Sequence, residues 1–105
     1  LTSFSQENNS SGLVLENNTL KYTGKLDGKV HSFDMVTSYN GKDVRLRSFG
    51  GNKLTDEMIK VINDLPKYFN EGDTTIVSFM NILMTSGKNT KDLKKLPPLL
   101  EEIIF

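Results

Sequence analysis

The chain has 105 residues, 13 basic and 13 acidic side chains and hence no formal net charge, one histidine and no cysteine. That length suits one domain. The missing cysteine excludes disulfides, thiolate catalysis and cysteine-ligated metals, and the neutral balance suits non-specific phosphate binding poorly. No stretch approaches the ~20 apolar residues that a membrane-spanning helix needs. A start at Leu1 rather than Met is expected of a processed protein or of a domain from a longer one.

Residues 1–12 are polar and without period, which predicts a flexible lead-in, with 13–105 forming a single α+β domain. Three turn signals follow: Asn17-Asn18, Asp27-Gly28 and Asn40-Gly41. Both central residues of a type I′ hairpin turn need positive φ, and Asn, Asp and Gly tolerate it best. Together they predict a four-stranded antiparallel β-meander over about 13–16, 19–26, 29–39 and 42–49.

A two-residue turn fixes the register. It sets Leu15 against Leu20, Leu20 against Met35 and Met35 against Leu46. A second apolar row reads Leu13, Tyr22, Phe33 and Ser48. By parity the opposite face carries Val14, Lys21, Asp34 and Arg47, with Arg45 beside Val36. Asp34 is expected between Lys21 and Arg47. Arg45 and Arg47, the chain's two arginines, point off that polar face. His31 is expected opposite Gly24 on the apolar side, as a packed structural residue. Phe49-Gly50-Gly51-Asn52 reads as a strand end; the other use of such a stretch, amides offered to an anion, needs a phosphate-loop pattern that does not follow.

The period then changes. Thr55 can cap a helix over about 55–69, with Asp56 and Glu57 in its first turn and Met58, Ile62, Leu65 and Phe69 on one side. Leu54 and Ile59 fit a hydrophobic staple, and Pro66 ends or kinks the helix. Asp73 and Gly87 bracket a second helix over about 74–86, apolar around most of its circumference; a fifth strand over 75–84 is the alternative. Lys88, Lys91, Lys94 and Lys95 mark a basic linker. Pro97-Pro98 opens a last helix, about 97–104. The helices are expected to cover the apolar face of the meander, two layers in all.

Asp56, Glu57, Asp64, Glu71 and Asp73 fall where helix caps and loops use carboxylates. No catalytic set, metal set or cofactor loop stands out, so no enzyme activity, cofactor or metal is expected. Met58, Met80 and Met84 suit core packing better than the walls of a ligand cavity. The leading expectation is a small non-catalytic protein-interaction module, of adaptor, inhibitor or immunity type. Its partner is another protein, met through an exposed sheet edge or through Lys21, Asp34, Arg45 and Arg47 on the polar face. The alternative is a single-stranded nucleic-acid-binding domain using that face, disfavoured by neutral charge and few outward aromatics.

Overall fold

The computed structural model of the chain describes residues 3–8, 12–24, 28–39, 41–86 and 89–105. It is mainly β, with two antiparallel sheets and one short helix. In chain order the elements are β1 (Ser3–Asn8), β2 (Leu13–Glu16), β3 (Thr19–Tyr22), β4 (Val30–Tyr39) and β5 (Lys42–Ser48). Then come α1 (Asp56–Asp64), a 3-10 turn (Leu65–Tyr68), β6 (Thr74–Ser86), β7 (Asn89–Leu96) and β8 (Leu99–Ile104). The large sheet runs β1-β8-β6-β4-β5, with β7 also paired to β6; β2 and β3 form a sheet of their own.

Two of the three hairpins have the expected register. Leu13 pairs Tyr22 and Leu15 pairs Leu20 around a turn in which Asn17 and Asn18 have φ of 51° and 57°. Asp34 pairs Arg47 and Met35 pairs Leu46 in the β4–β5 hairpin; Gly41 there has φ 76°, and its turn partner Asn40 lies outside the described residues. The middle hairpin is corrected. β3 does not pair β4, so Leu20 and Met35 are not lateral neighbours; Met35 pairs Phe79 of β6 instead. Asp27 lies outside the described residues, and Gly28 serves a different need than a hairpin turn. A Cβ built there would collide with the Thr85 carbonyl oxygen, so glycine is what lets this backbone approach β6.

The second and third expected helices are strands. In β6, Val77 and Phe79 are buried alternately, and so are Ile82 and Met84, but the phase slips between them. The slip is at Asn81, whose φ is 49°, beside the point where Pro97-Pro98 separates β7 from β8. Prolines cannot donate to a ladder, so that stretch of β6 lacks a partner on its β7–β8 side, while Met80 still pairs Asp34 of β4 on the other. Outward apolar residues such as Ile76, Met80 and Leu83 complete the helix-like appearance. In β8 burial alternates strictly through Leu99, Glu101 and Ile103, while the doubled letters Leu-Leu, Glu-Glu, Ile-Ile conceal period two. Of the basic linker, Lys91, Lys94 and Lys95 lie in β7, and Lys88 lies outside the described residues. Ser3–Asn8, expected within an unpaired lead-in, run antiparallel along β8.

α1 forms as expected, shortened to 56–64 before the 3-10 turn that contains Pro66. Thr55 Oγ1 accepts from the Met58 amide at 3.2 Å. Met58, Ile62 and Leu65 join Leu13, Leu20, Phe33, Met35, Phe79, Leu99 and Ile103 in one core between the helix, the small sheet and the inner face of the large sheet. Phe33 and Phe79 meet edge to face at 6.0 Å, an arrangement worth about 0.5–1.5 kcal/mol beyond its buried area. The small sheet is tied down by main-chain bonds, Leu20 N–H to Asn52 O (2.8 Å) and Leu54 N–H to Asn18 O (2.9 Å). Phe105 stacks on Phe69 at 4.6 Å, and its amide donates to Asp73 O, fixing the end of β8 to the turn before β6.

Two buried polar groups strain this core. Thr37 Oγ1 is buried without a hydrogen-bond partner, so Thr37→Val, close to it in shape, is expected to stabilise the fold by about 1 kcal/mol in urea denaturation. Glu101 is 4% exposed on the inner face, and burial raises its carboxyl above the ordinary 4.5. A raised folded value means that its contribution is full below 4.5 and is lost as pH rises through the folded value. Glu101→Gln is therefore expected to be more stable than wild type at neutral pH, with the advantage gone near pH 4.5; a constant difference across that range would refute this.

Candidate functional site

The inner face of the large sheet is the covered one. Among the described residues the outer face carries no helix or second sheet, and its central feature is Asp34. β4 lies between β5 and β6, so Asp34 sits beside Arg47 on one strand and Met80 on the other. Arg47 grips it with two prongs, Nε to Oδ1 at 2.7 Å and Nη2 to Oδ2 at 3.3 Å. Arg45 Nη1 reaches Oδ2 at 3.3 Å, and Asn81 Nδ2 donates to the same oxygen at 2.9 Å. The left-handed backbone of Asn81 is what presents its amide here, directly after outward-facing Met80.

Asp34 is 1% exposed while each arginine is 54% exposed. The Arg47 hydrogen bond holds the Asp34 carboxyl below its ordinary 3.8, outweighing the upward push of burial, and Asn81 and the two positive charges act in the same direction. Asp34 in turn raises Arg47. A carboxylate this well supplied with donors is a poor general base. It acts instead as an anchor that fixes two guanidiniums and leaves their remaining N–H groups facing water.

A hollow of about 220 Å³ lies alongside, lined by Asp34, Arg47, Asn81, His31, Phe49 and Leu83 among others. It is below the ~300–1,000 Å³ typical of small-molecule sites. Phe49 is 71% exposed, and the Arg47 guanidinium lies 5.7 Å from its ring centre, within cation–π range. His31 is exposed here, with Nδ1 3.2 Å from Ser32 Oγ, rather than packed on the apolar side as the sequence suggested.

Of the four expected site residues, Asp34, Arg45 and Arg47 come together. Lys21 does not: β3 belongs to the small sheet, and Lys21 lines a separate hollow of about 440 Å³ with Tyr22, Lys29, Val30 and Asn52. Asn81 was missed, because only the pairing of β6 with β4 brings it to Asp34, and no local signal marks it. The methionines do not share a cavity. Met58 and Met84 are sealed in the core and Met80 is on the outer face. The Gly51 amide of the Gly-Gly stretch is already used, donating to His31 O at 3.2 Å. Asp64 accepts from Tyr39 and Lys67, and Asp73 from the Asn70 amide. Tyr68, burial and Asp64 push the Tyr39 hydroxyl up to about 12, so it stays protonated. Among the described residues no group of three or more His, Asp or Glu is placed to hold a metal ion, and no helix is long and apolar enough to cross a membrane.

Because the folded Asp34 value is depressed, its stabilisation is present above 3.8 and is lost as pH falls through the lower folded value. Asp34→Ala is expected to cost about 2 kcal/mol at neutral pH, a typical loss for hydrogen bonds to a charged group moderated here by solvent around the arginines. Urea titrations should show that deficit shrinking below pH 3.8; a deficit that holds at low pH would mean that packing, not charge, is what Asp34 supplies. Comparison with protein families, curated proteins and solved structures finds nothing that this chain matches.

Proposed function

We propose that this chain is a non-catalytic protein-interaction module whose partner docks on the outer face of the large sheet, over Arg47, Arg45 and Phe49. The observation that supports this most is the Asp34-anchored arginine pair beside an aromatic ring left 71% exposed. Arginine and aromatic side chains with restricted rotamers are the usual anchors of protein interfaces, since little further entropy is lost when they are buried. One carboxylate faces two guanidiniums, so the patch keeps a net positive charge and favours a carboxylate on the partner.

The nucleic-acid reading draws less support. Stacking platforms need several aromatics along a basic groove, and this patch offers Phe49 alone. Affinity capture from the native source, identified by mass spectrometry, tests the proposal when wild type is compared with Phe49→Ala and Arg47→Ala. Both variants are expected to lose the specific partner while remaining folded by circular dichroism, and labelled single-stranded oligonucleotides at low salt are expected not to bind. Folded variants that recover every wild-type partner would sink it.

A further inference from the structure

We infer that the free edge of β5 is a self-complementary surface and that two copies of this chain pair through it, antiparallel, around Val44. β5 is the end of the large sheet, with β4 its single neighbour, and no other described segment bonds to its main chain. The β4–β5 register is fixed by a two-residue turn, so Tyr39–Lys42, Thr37–Val44 and Met35–Leu46 are the pairs that exchange main-chain bonds. The N–H and C=O groups of Asp43, Arg45 and Arg47 consequently face away from β4 and toward whatever lies beyond the edge.

The side chains choose the register. In a twofold antiparallel pair centred on Val44, Asp43 opposes the partner's Arg45, and Arg45 opposes the partner's Asp43. Both are pairs that exchange two main-chain bonds. Val44 then faces the partner's Val44 on the inner side. Centring the pair on Arg45 sets Asp43 against the partner's Arg47 twice but places the Arg45 guanidinium against its own copy, centring it on Leu46 sets Arg45 against the partner's Arg47 twice, and centring it on Asp43 opposes two carboxylates, so the Val44 register alone combines ion pairs with no like-charge contact. Like charges directly opposed are unfavourable, so one register is favoured and its neighbours are disfavoured.

The charge count agrees. Asp43 is exposed and has no ion pair among the described residues, while Arg45 keeps donors beyond the one it gives Asp34. The partner's Asp43 supplies the negative charge that the row of Asp34, Arg45 and Arg47 lacks. A second copy therefore fits this edge without any foreign segment. Phe49 lies beyond the paired stretch and stays accessible, while Arg45 is shared with the face assigned above to a partner, so a dimer takes one of the two guanidiniums of that face.

The test uses purified chain. Sedimentation velocity from about 10 μM to about 1 mM, the range in which a small edge interface is populated, is expected to show a monomer–dimer shift with concentration. Asp43→Arg is expected to be monomeric throughout, as is Arg45→Asp. An equimolar mixture of these two variants is expected to regain the dimer, because each then meets its opposite charge. Arg45→Asp also disturbs Asp34, so a second experiment leaves the charges alone. With no native cysteine, Val44→Cys is expected to cross-link on mild oxidation roughly tenfold faster than Leu46→Cys, since Cβ atoms meet across the axis only at 44. A wild-type monomer at every concentration, an Asp43→Arg variant that still dimerises, or equal cross-linking at the two cysteines each overturns the inference. The Phe49-dependent partner is read in a separate assay with Phe49→Ala, which leaves Asp43 and Val44 in place, so failure of the dimer and failure of the partner reading are told apart.

Discussion

The pairing of β4 with β6 is the contact on which the other features turn. It sets Met35 against Phe79 and brings Phe33 edge to face with the same ring, which builds the inner face that α1 and the small sheet cover. On the other side of the same strands it carries Asn81 to Asp34. β4 cannot take β3 as a neighbour once β6 occupies that position, so β2 and β3 are left to form a separate sheet, held by main-chain bonds from Leu20 N–H to Asn52 O and from Leu54 N–H to Asn18 O. One long-range pairing thus decides the core, the anchoring of the arginines and the free edge together.

Asp34 shows how a charge is kept in a nearly sealed place. Moving a carboxylate out of water is costly, and the cost is recovered only when both oxygens are supplied with donors. Here Oδ1 has Arg47 and Oδ2 has Arg47, Arg45 and Asn81. The arginines need no comparable compensation, because their outer edges stay in solvent. The carboxylate serves as a fixed post, and on the reading proposed above the guanidiniums would be the surface that a partner meets. Such an arrangement suits recognition better than proton transfer, since its acid is held ionised and its bases are arginines.

The parts of this fold that were legible in the amino-acid sequence are those determined within one turn or one hairpin. Asn17-Asn18 and Gly41 demand positive φ locally, and Thr55 with Asp56 and Glu57 starts a helix whatever lies around it. Asp34 beside Arg47 followed from one hairpin register. Features that depend on distant pairing were not legible. Gly28 looked like a turn residue, but it is required by the Thr85 carbonyl 57 positions away, a contact that no local pattern announces. Leu-Leu-Glu-Glu-Ile-Ile conceals an alternation that burial displays plainly, because inward and outward residues happen to be the same type. In β6 the bulge at Asn81 shifts the phase halfway, so neither a period of two nor one of 3.6 runs through it. Lys21 was placed with Asp34 by the turn that failed, and it left the site when that turn did.

The outer face and the β5 edge share one physical origin. A sheet with a single helix and a two-stranded partner has enough covering material for one face and not for two. What stays uncovered must resist indiscriminate pairing, and charged residues on an edge strand do that by making most registers repulsive. In β5 the charges are Lys42, Asp43, Arg45 and Arg47; about Val44 they form two Asp43–Arg45 pairs with no like-charge contact, whereas about Arg45 two Asp43–Arg47 pairs come with one Arg45–Arg45 contact. On the dimer inferred above, the residues that exclude a random strand would also admit one specific strand, so edge protection and selective pairing would rest on the same charges.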